Sequence, residues 1–238
     1  MVEEVPFDIT LLEPDSAGNV YAEVTFTNNS NHIVTSYDIT VLKKDNNEKS
    51  YYNTFDTVRP NETSAKFGSF GPSTGLVDDL EYLTLTYIIK RGDDSKQVVY
   101  DFKTKKYQVS DWYEMDTGIE PIVKVEELPY TITLEEPDSA GNVYGKGTFT
   151  NNSQHTITNF SIVMLLKDKN EKTYYSNYDT VLPGETSPNF SAFGPNTGLD
   201  TDLEPLEIEY TAETKEGKRY SITYNVKTEK YEVLELTN

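Results

Sequence analysis

The nine residues EPDSAGNVY stand at Glu13–Tyr21 and again, unchanged, at Glu136–Tyr144. A chain that carries the same stretch twice is constrained to fold as two copies of one unit. Sliding the sequence along itself extends the match. TFTNNS recurs at Thr25–Ser30 and Thr148–Ser153, Asn-Glu-Lys at Asn47–Lys49 and Asn170–Lys172, and FGP-x-TGL at Phe70–Leu76 and Phe193–Leu199. More than half of the aligned positions are identical. The expected domains are therefore residues 2–110 and 125–238, joined by 111–124. That joining stretch holds Trp112, Tyr113, Ile119 and Ile122, too much apolar surface for a free tether.

Within each copy the apolar residues repeat with period two, which is a strand signal. Val20, Ala22, Val24 and Phe26 alternate with Tyr21, Glu23, Thr25 and Thr27, and Leu83, Leu85, Tyr87 and Ile89 do the same later. Between such runs stand Asn, Asp, Gly and Pro, the residues of turns. The pattern predicts an all-β protein of two tandem immunoglobulin-like antiparallel β-sandwiches. Each has about seven strands, beginning near Phe7, Val20, Ile33, Ser50, Thr63, Leu83 and Gln97. Ile9, Ile132, Phe26 and Phe149 are expected to face inward. Seven strands would carry the chain out of the first copy at the end opposite to where it enters, so the copies are expected to lie end to end.

The formal charge of −19 excludes a phosphate-backbone partner, because such binding depends on Lys and Arg displacing counterions. Anionic lipid is repelled for the same reason, and no apolar run approaches the length of a membrane span, so direct membrane insertion is not expected. Cations and basic protein surfaces are what this charge attracts. The absence of cysteine removes disulfides, thiol catalysis and Cys-based zinc sites.

The path Asn-Asn-Ser, an apolar strand ending in Lys-Asp, Asn-Glu-Lys, then Val-x-Pro-x-Glu resembles the FxLYD-type and related immunoglobulin-like domains of bacterial exported proteins and lipoproteins. The family's Phe-x-Leu-Tyr-Asp run stands here as Val41-Leu42-Lys43-Lys44-Asp45 and Met164-Leu165-Leu166-Lys167-Asp168, with only the Asp matching in both. The resemblance implies an extracellular or cell-envelope location, an export signal upstream of Val2, and no known chemistry. A partner protein or a cell-wall glycan would be the ligand.

Gly71-Pro72-Ser73-Thr74-Gly75 has the G-x-S-x-G spacing of a hydrolase nucleophile, but that motif needs a strand-to-helix turn, and the second copy has Asn196 where Ser73 would attack. His32 and His155, the only histidines, follow Asn-Asn-Ser in each copy and read as turn residues rather than metal ligands. Asn28-Asn29-Ser30, Asn61-Glu62-Thr63 and Asn151-Asn152-Ser153 are glycosylation sequons that serve equally as turns. Arg91-Gly92-Asp93 spells the integrin tripeptide and is also plain hairpin chemistry. Tyr51, Tyr52, Tyr174 and Tyr175 could cover a sheet face or stack on sugar rings.

EPDSAGNVY falls between the first two strands, where Asp15, Ser16 and Gly18 suit a turn. Alternate loops of an antiparallel path share one pole. That pole would collect Asp15, Asn19, Asp45, Asp78, Asp79 and Glu81 in the first copy, and Asp138, Asn142, Asp168, Asp202 and Glu204 in the second. Hard oxygen ligands from three loops are what calcium requires, so these are the candidate metal ligands, the alternative being solvated turns. No catalytic set and no organic cofactor site are read from the chain. The expected function is that of a non-enzymatic spacer or protein-binding module, with a carbohydrate-binding module or calcium-stabilised adhesin as the alternative.

Overall fold

The computed structural model describes residues 1–92, 94–113 and 118–236. The chain divides into two compact units, Met1–Glu114 and Met115–Asn238. It is all-β and antiparallel. In the first unit the strands are β1 (Phe7–Leu11), β2 (Tyr21–Phe26), β3 (Ile33–Lys43), β4 (Glu48–Thr54), β5 (Phe67–Phe70), β6 (Leu80–Arg91), β7 (Asp94–Asp101) and β8 (Lys106–Trp112). They form a three-stranded sheet in the order β1-β2-β5 and a five-stranded sheet in the order β4-β3-β6-β7-β8. The second unit repeats this with β9 (Tyr130–Leu134), β10 (Tyr144–Phe149), β11 (Thr156–Leu166), β12 (Glu171–Asn177), β13 (Phe190–Phe193), β14 (Leu203–Glu213), β15 (Arg219–Asn225) and β16 (Lys230–Leu236). Single 3-10 turns precede β1, β6, β9 and β14.

Period-two alternation does what it predicts. Ala22, Val24 and Phe26 of β2 are buried beside Val34, Tyr37, Ile39 and Val41 of β3, so the two sheets of the first unit share one core. Phe26 stacks on Tyr37 with centroids 4.0 Å apart, and Phe149 on Phe160 at 4.1 Å. Ile9 and Ile132 are only partly buried, being on the narrow sheets' edge strands. A hydroxyl is placed differently in the two cores. Tyr37 donates to the Val5 carbonyl at 2.7 Å, whereas the second unit has Phe160 there and uses Tyr210, from the neighbouring strand, to reach the Val123 carbonyl at 2.7 Å.

Two expectations are corrected. The strands number eight per unit rather than seven, because β8 and β16 were hidden in the turn and linker. The turn at 102–105 carries its positive φ on Lys105, and the one at 226–229 on Glu229. Neither holds a Gly or Pro, and each is tied instead by Asp101 or Asn225 accepting from the amide and hydroxyl of Thr104 or Thr228. The extra strand also turns the chain back, so it leaves the first unit's sheet at the end opposite to the one seven strands predict. The linker 111–124 is likewise no separate segment throughout. Asp111 and Trp112 belong to β8, with Trp112 opposite Ser95, while Ile119 and Ile122 pack on the second core and Val123 is fully buried in it. Tyr113 is exposed, and 114–117 lie outside the described residues.

Replacing Phe26 or Phe149 by Ala removes one member of a stacked pair from a closed core. Chemical denaturation should show a loss of about 3–5 kcal/mol from the affected unit.

Candidate functional site

The acidic loops of the first unit start with residues 12–20. Asp15 folds this loop on itself: its Oδ1 accepts from the amides of Ala17 and Asn19, each at 2.8 Å, and its Oδ2 accepts from the Asn19 side chain at 3.0 Å. Gly18 supplies the positive φ the turn needs. Asp138, Ala140 and Asn142 reproduce the arrangement. The Asn19 side chain, and then its backbone N–H, hold the Asp15 carboxyl below the usual carboxylate range, and Asn142 does so for Asp138.

The β3–β4 hairpin and the loop at 71–79 are brought together. Asp45 Oδ2 accepts from both the amide and the hydroxyl of Ser73 at 2.7 Å, and the Ser73 hydroxyl is the first cause of its lowered pKa. Lys44 donates its amide to the Asp79 carbonyl and its ammonium to that of Asp78. Asp79 accepts from the Thr74 hydroxyl at 2.6 Å. In the second unit Asp168 accepts from the Asn196 amide, Asp202 from the Thr197 hydroxyl, and Lys167 reaches the Thr201 carbonyl. The loop leaves β5 at Gly71, where a Cβ would come within 2.9 Å of the Leu11 side chain and 3.2 Å of that of Val20, so a side chain there would push both aside.

These side chains therefore do not converge as ligands. Asp15 and Asn19 close their own turn; the Asp45 carboxylate and the backbone carbonyls of Asp78 and Asp79 pin one loop to another, the Asp79 carboxylate holds Thr74 within its loop, Glu81 lies opposite Leu42 in the ladder, and Glu204 pairs with Lys167 and Lys227. Among the described residues no group of three or more His, Asp and Glu side chains is arranged to hold a metal ion. The carboxylates of Asp15, Asp45, Asp79, Asp138, Asp168 and Asp202 already accept from amides or hydroxyls of their own unit.

The other candidates resolve in the same direction. Asn28 is fully buried and its Nδ2 donates to the carbonyls of His32 and Val58, both at 2.8 Å, while its Oδ1 accepts from the amide and hydroxyl of Ser30. Asn151 does the same with His155, Val181 and Ser153. Both amide hydrogens that glycosylation would engage are thus committed. Ser73 faces Asp45 and no histidine. Arg91 and Gly92 lie in the β6–β7 hairpin, but Asp93 is outside the described residues. Tyr52 and Tyr175 are buried and donate to the Phe70 and Phe193 carbonyls, whereas Tyr51 and Tyr174 are exposed.

One feature escaped sequence reasoning. Tyr21 and Phe70 meet on the outer face of the narrow sheet with centroids 4.9 Å apart, as do Tyr144 and Phe193. The available signal was parity: Tyr21 and Tyr144 occupy the outward positions of alternating strands, where polar residues are usual. The rings are inclined by 31° and 29° and cover one another.

No family model matches the chain, and no curated protein matches it. Among solved structures, the crystal structure of red sea bream transglutaminase aligns with 97% of this chain and 29% of its own, at 10% identity and a TM-score of 0.23. A likeness that slight carries no argument about fold or function.

A carboxyl whose folded pKa is depressed stabilises the protein above its unfolded value, about 3.9 for Asp, and that contribution is lost as pH falls through the folded value. Melting temperature should accordingly drop below about pH 4. Asp15→Asn and Asp138→Asn should flatten that acid limb when thermal melts are compared across pH.

Proposed function

We propose that the chain is a non-enzymatic tandem β-sandwich module, working outside the cell or in the cell envelope as a spacer or protein-binding element. The observation that carries the reading is how the repeated polar residues are used. Asn28 and Asn151, Asp15 and Asp138, Asp45 and Asp168 each spend their donors or acceptors on backbone groups of their own unit, in both copies. What was duplicated is folding chemistry, and a duplicated fold is what a modular support requires.

We read each unit as an immunoglobulin-like sandwich with one strand added. What supports this is the order β1-β2-β5 facing β4-β3-β6-β7, with β8 appended at the outer edge. The acidic charge favours a basic protein surface as partner over any polyanion. The FxLYD-type resemblance supports the envelope setting.

Stretching single full-length molecules tests the modular role. Unfolding of Met1–Glu114 and of Met115–Asn238 should each yield about 380–450 Å of extended chain, at about 3.3–3.6 Å per residue, less the span of the folded unit, in two steps of like size. One merged step, or a featureless ramp at low force, would remove the tandem load-bearing reading.

A further inference from the structure

The wider sheet of the first unit has a second face, turned away from the core. Tyr52, Ile39, Leu85 and Val98 are buried on β4, β3, β6 and β7, so the residues that alternate with them point outward. In register across that face stand Asn53, Asp38, Thr86, Val99 and Gln108, one from each strand from β4 to β8. Four spacings of about 4.8 Å make the row about 19 Å wide. Gln97 and Ser110 continue the amides and hydroxyls in the next row. In a chain with a formal charge of −19, this row holds one ionisable side chain, Asp38.

Asp38 is half-buried. Its Oδ1 accepts from the Thr40 hydroxyl at 3.3 Å, and the Asn53 side chain also hydrogen-bonds its carboxylate. Burial pushes its pKa up, against the lowering effect of those bonds, and among the described residues no Lys or Arg pairs with it. A hydroxyl that donates to such a carboxylate makes a charge-assisted hydrogen bond, stronger than one between neutral groups. Aromatic rings border the face at both ends. Tyr51, two residues before Asn53 on β4, is 55% exposed, and Trp112 on β8, opposite Ser95, is 39% exposed. The second unit keeps a ring at the first end, Tyr174, but has Leu236 in the place of Trp112, and Glu209 and Glu232 in the row itself. The two copies thus differ in the chemistry of this face, and the first offers a largely neutral row between two rings.

We propose that this face of the first unit, from Tyr51 to Trp112, binds an extended neutral polysaccharide of β-1,4-linked sugars. Amide and hydroxyl side chains match the hydroxyls of a sugar, each of which both donates and accepts. The apolar C–H faces of the sugar rings stack on Tyr51 and Trp112, which are both exposed. A β-1,4-linked chain is a flat ribbon, the form that a row of side chains on an open sheet accommodates. A polyanionic chain is repelled by the protein's charge, and a protein partner would require apolar anchors at the centre, where Asp38 and Thr86 stand. The inference goes beyond the spacer role and does not depend on it.

Trp112 is the chain's only tryptophan, so its fluorescence reports on this face. The probes are the hexasaccharides of β-1,4-linked glucose and of β-1,4-linked N-acetylglucosamine, titrated into the full chain and followed by that emission and by calorimetry. Saturable binding of at least one is expected, with a blue shift of the Trp112 emission. Tyr51→Ala, at an exposed position that leaves the core intact, should weaken it about three- to tenfold through the loss of one stacked ring, and Tyr51→Phe should preserve it. Tyr174→Ala, at the matching position of the second unit, should leave it unchanged. Binding of neither hexasaccharide overturns the proposal, as does binding that leaves the Trp112 emission unaltered or is indifferent to Tyr51→Ala. Binding confined to the cationic hexamer of β-1,4-linked glucosamine, and lost in added salt, also overturns it, by assigning the attraction to the overall acidic charge.

Discussion

The two sheets of each unit are unequal, three strands against five, so the apolar face of the wider sheet needs more cover than the narrower sheet's strands supply. A strand buried on one face must hide that face from water, at about 25 cal/mol for each Å². Over β3 and β6 the cover is β2, whose Val24 and Phe26 meet Tyr37 and Leu85 in the core. In the second unit the chain entering it adds Val123 to the core, with Ile119 and Ile122 packed against that cluster and the Val123 carbonyl accepting from Tyr210. The lead-in is therefore part of the domain, although nothing in its own sequence alternates.

The polar residues solve a second problem set by the same architecture, which is how long connections between sheets dispose of their backbone groups. A buried carbonyl or amide without a partner is costly, so a connection crossing the core edge needs a side chain that stands in for a strand. Asn28 is that side chain: one amide ties the end of β2, the start of β3 and the 55–66 connection at Val58. Ser64 continues the pairing by accepting from the Phe26 amide at 3.1 Å, and Ser187 does so for Phe149. The copying of Asn-Asn-Ser and EPDSAGNVY is thus explained without a ligand, because the chemistry they perform is complete within each unit.

Legibility in the sequence followed the same physics. β2, β3 and β6 were readable because one face of each is buried, and alternation records that burial. β8 was not, since it lies at a sheet edge with both faces largely exposed, leaving Tyr107, Val109 and Trp112 on mixed parities. Its hairpin was equally silent because Lys105 holds a backbone angle usually left to glycine. The acidic pole was legible as a place but not as chemistry. Loop topology does put Asp45 beside the 71–79 loop, yet residue type cannot tell a carboxylate awaiting a cation from one already accepting from Ser73.

Where the copies disagree is more informative than where they match. The core hydroxyl sits on β3 in the first unit, reaching Val5 from Tyr37; Phe160 removes it in the second, and Tyr210 of β14 serves Val123 instead. A hydroxyl facing a lead-in strand is useful only where a lead-in strand lies, since an unpaired buried donor costs more than the hydrogen bond returns. The first unit nonetheless keeps Tyr87 at the position of Tyr210, along with the smooth apolar edge of Val98 and Val109. There the ring fills the core while the hydroxyl stays within reach of water, so the position holds no stranded polar group, and the two units differ in which strand supplies the inward hydroxyl bond.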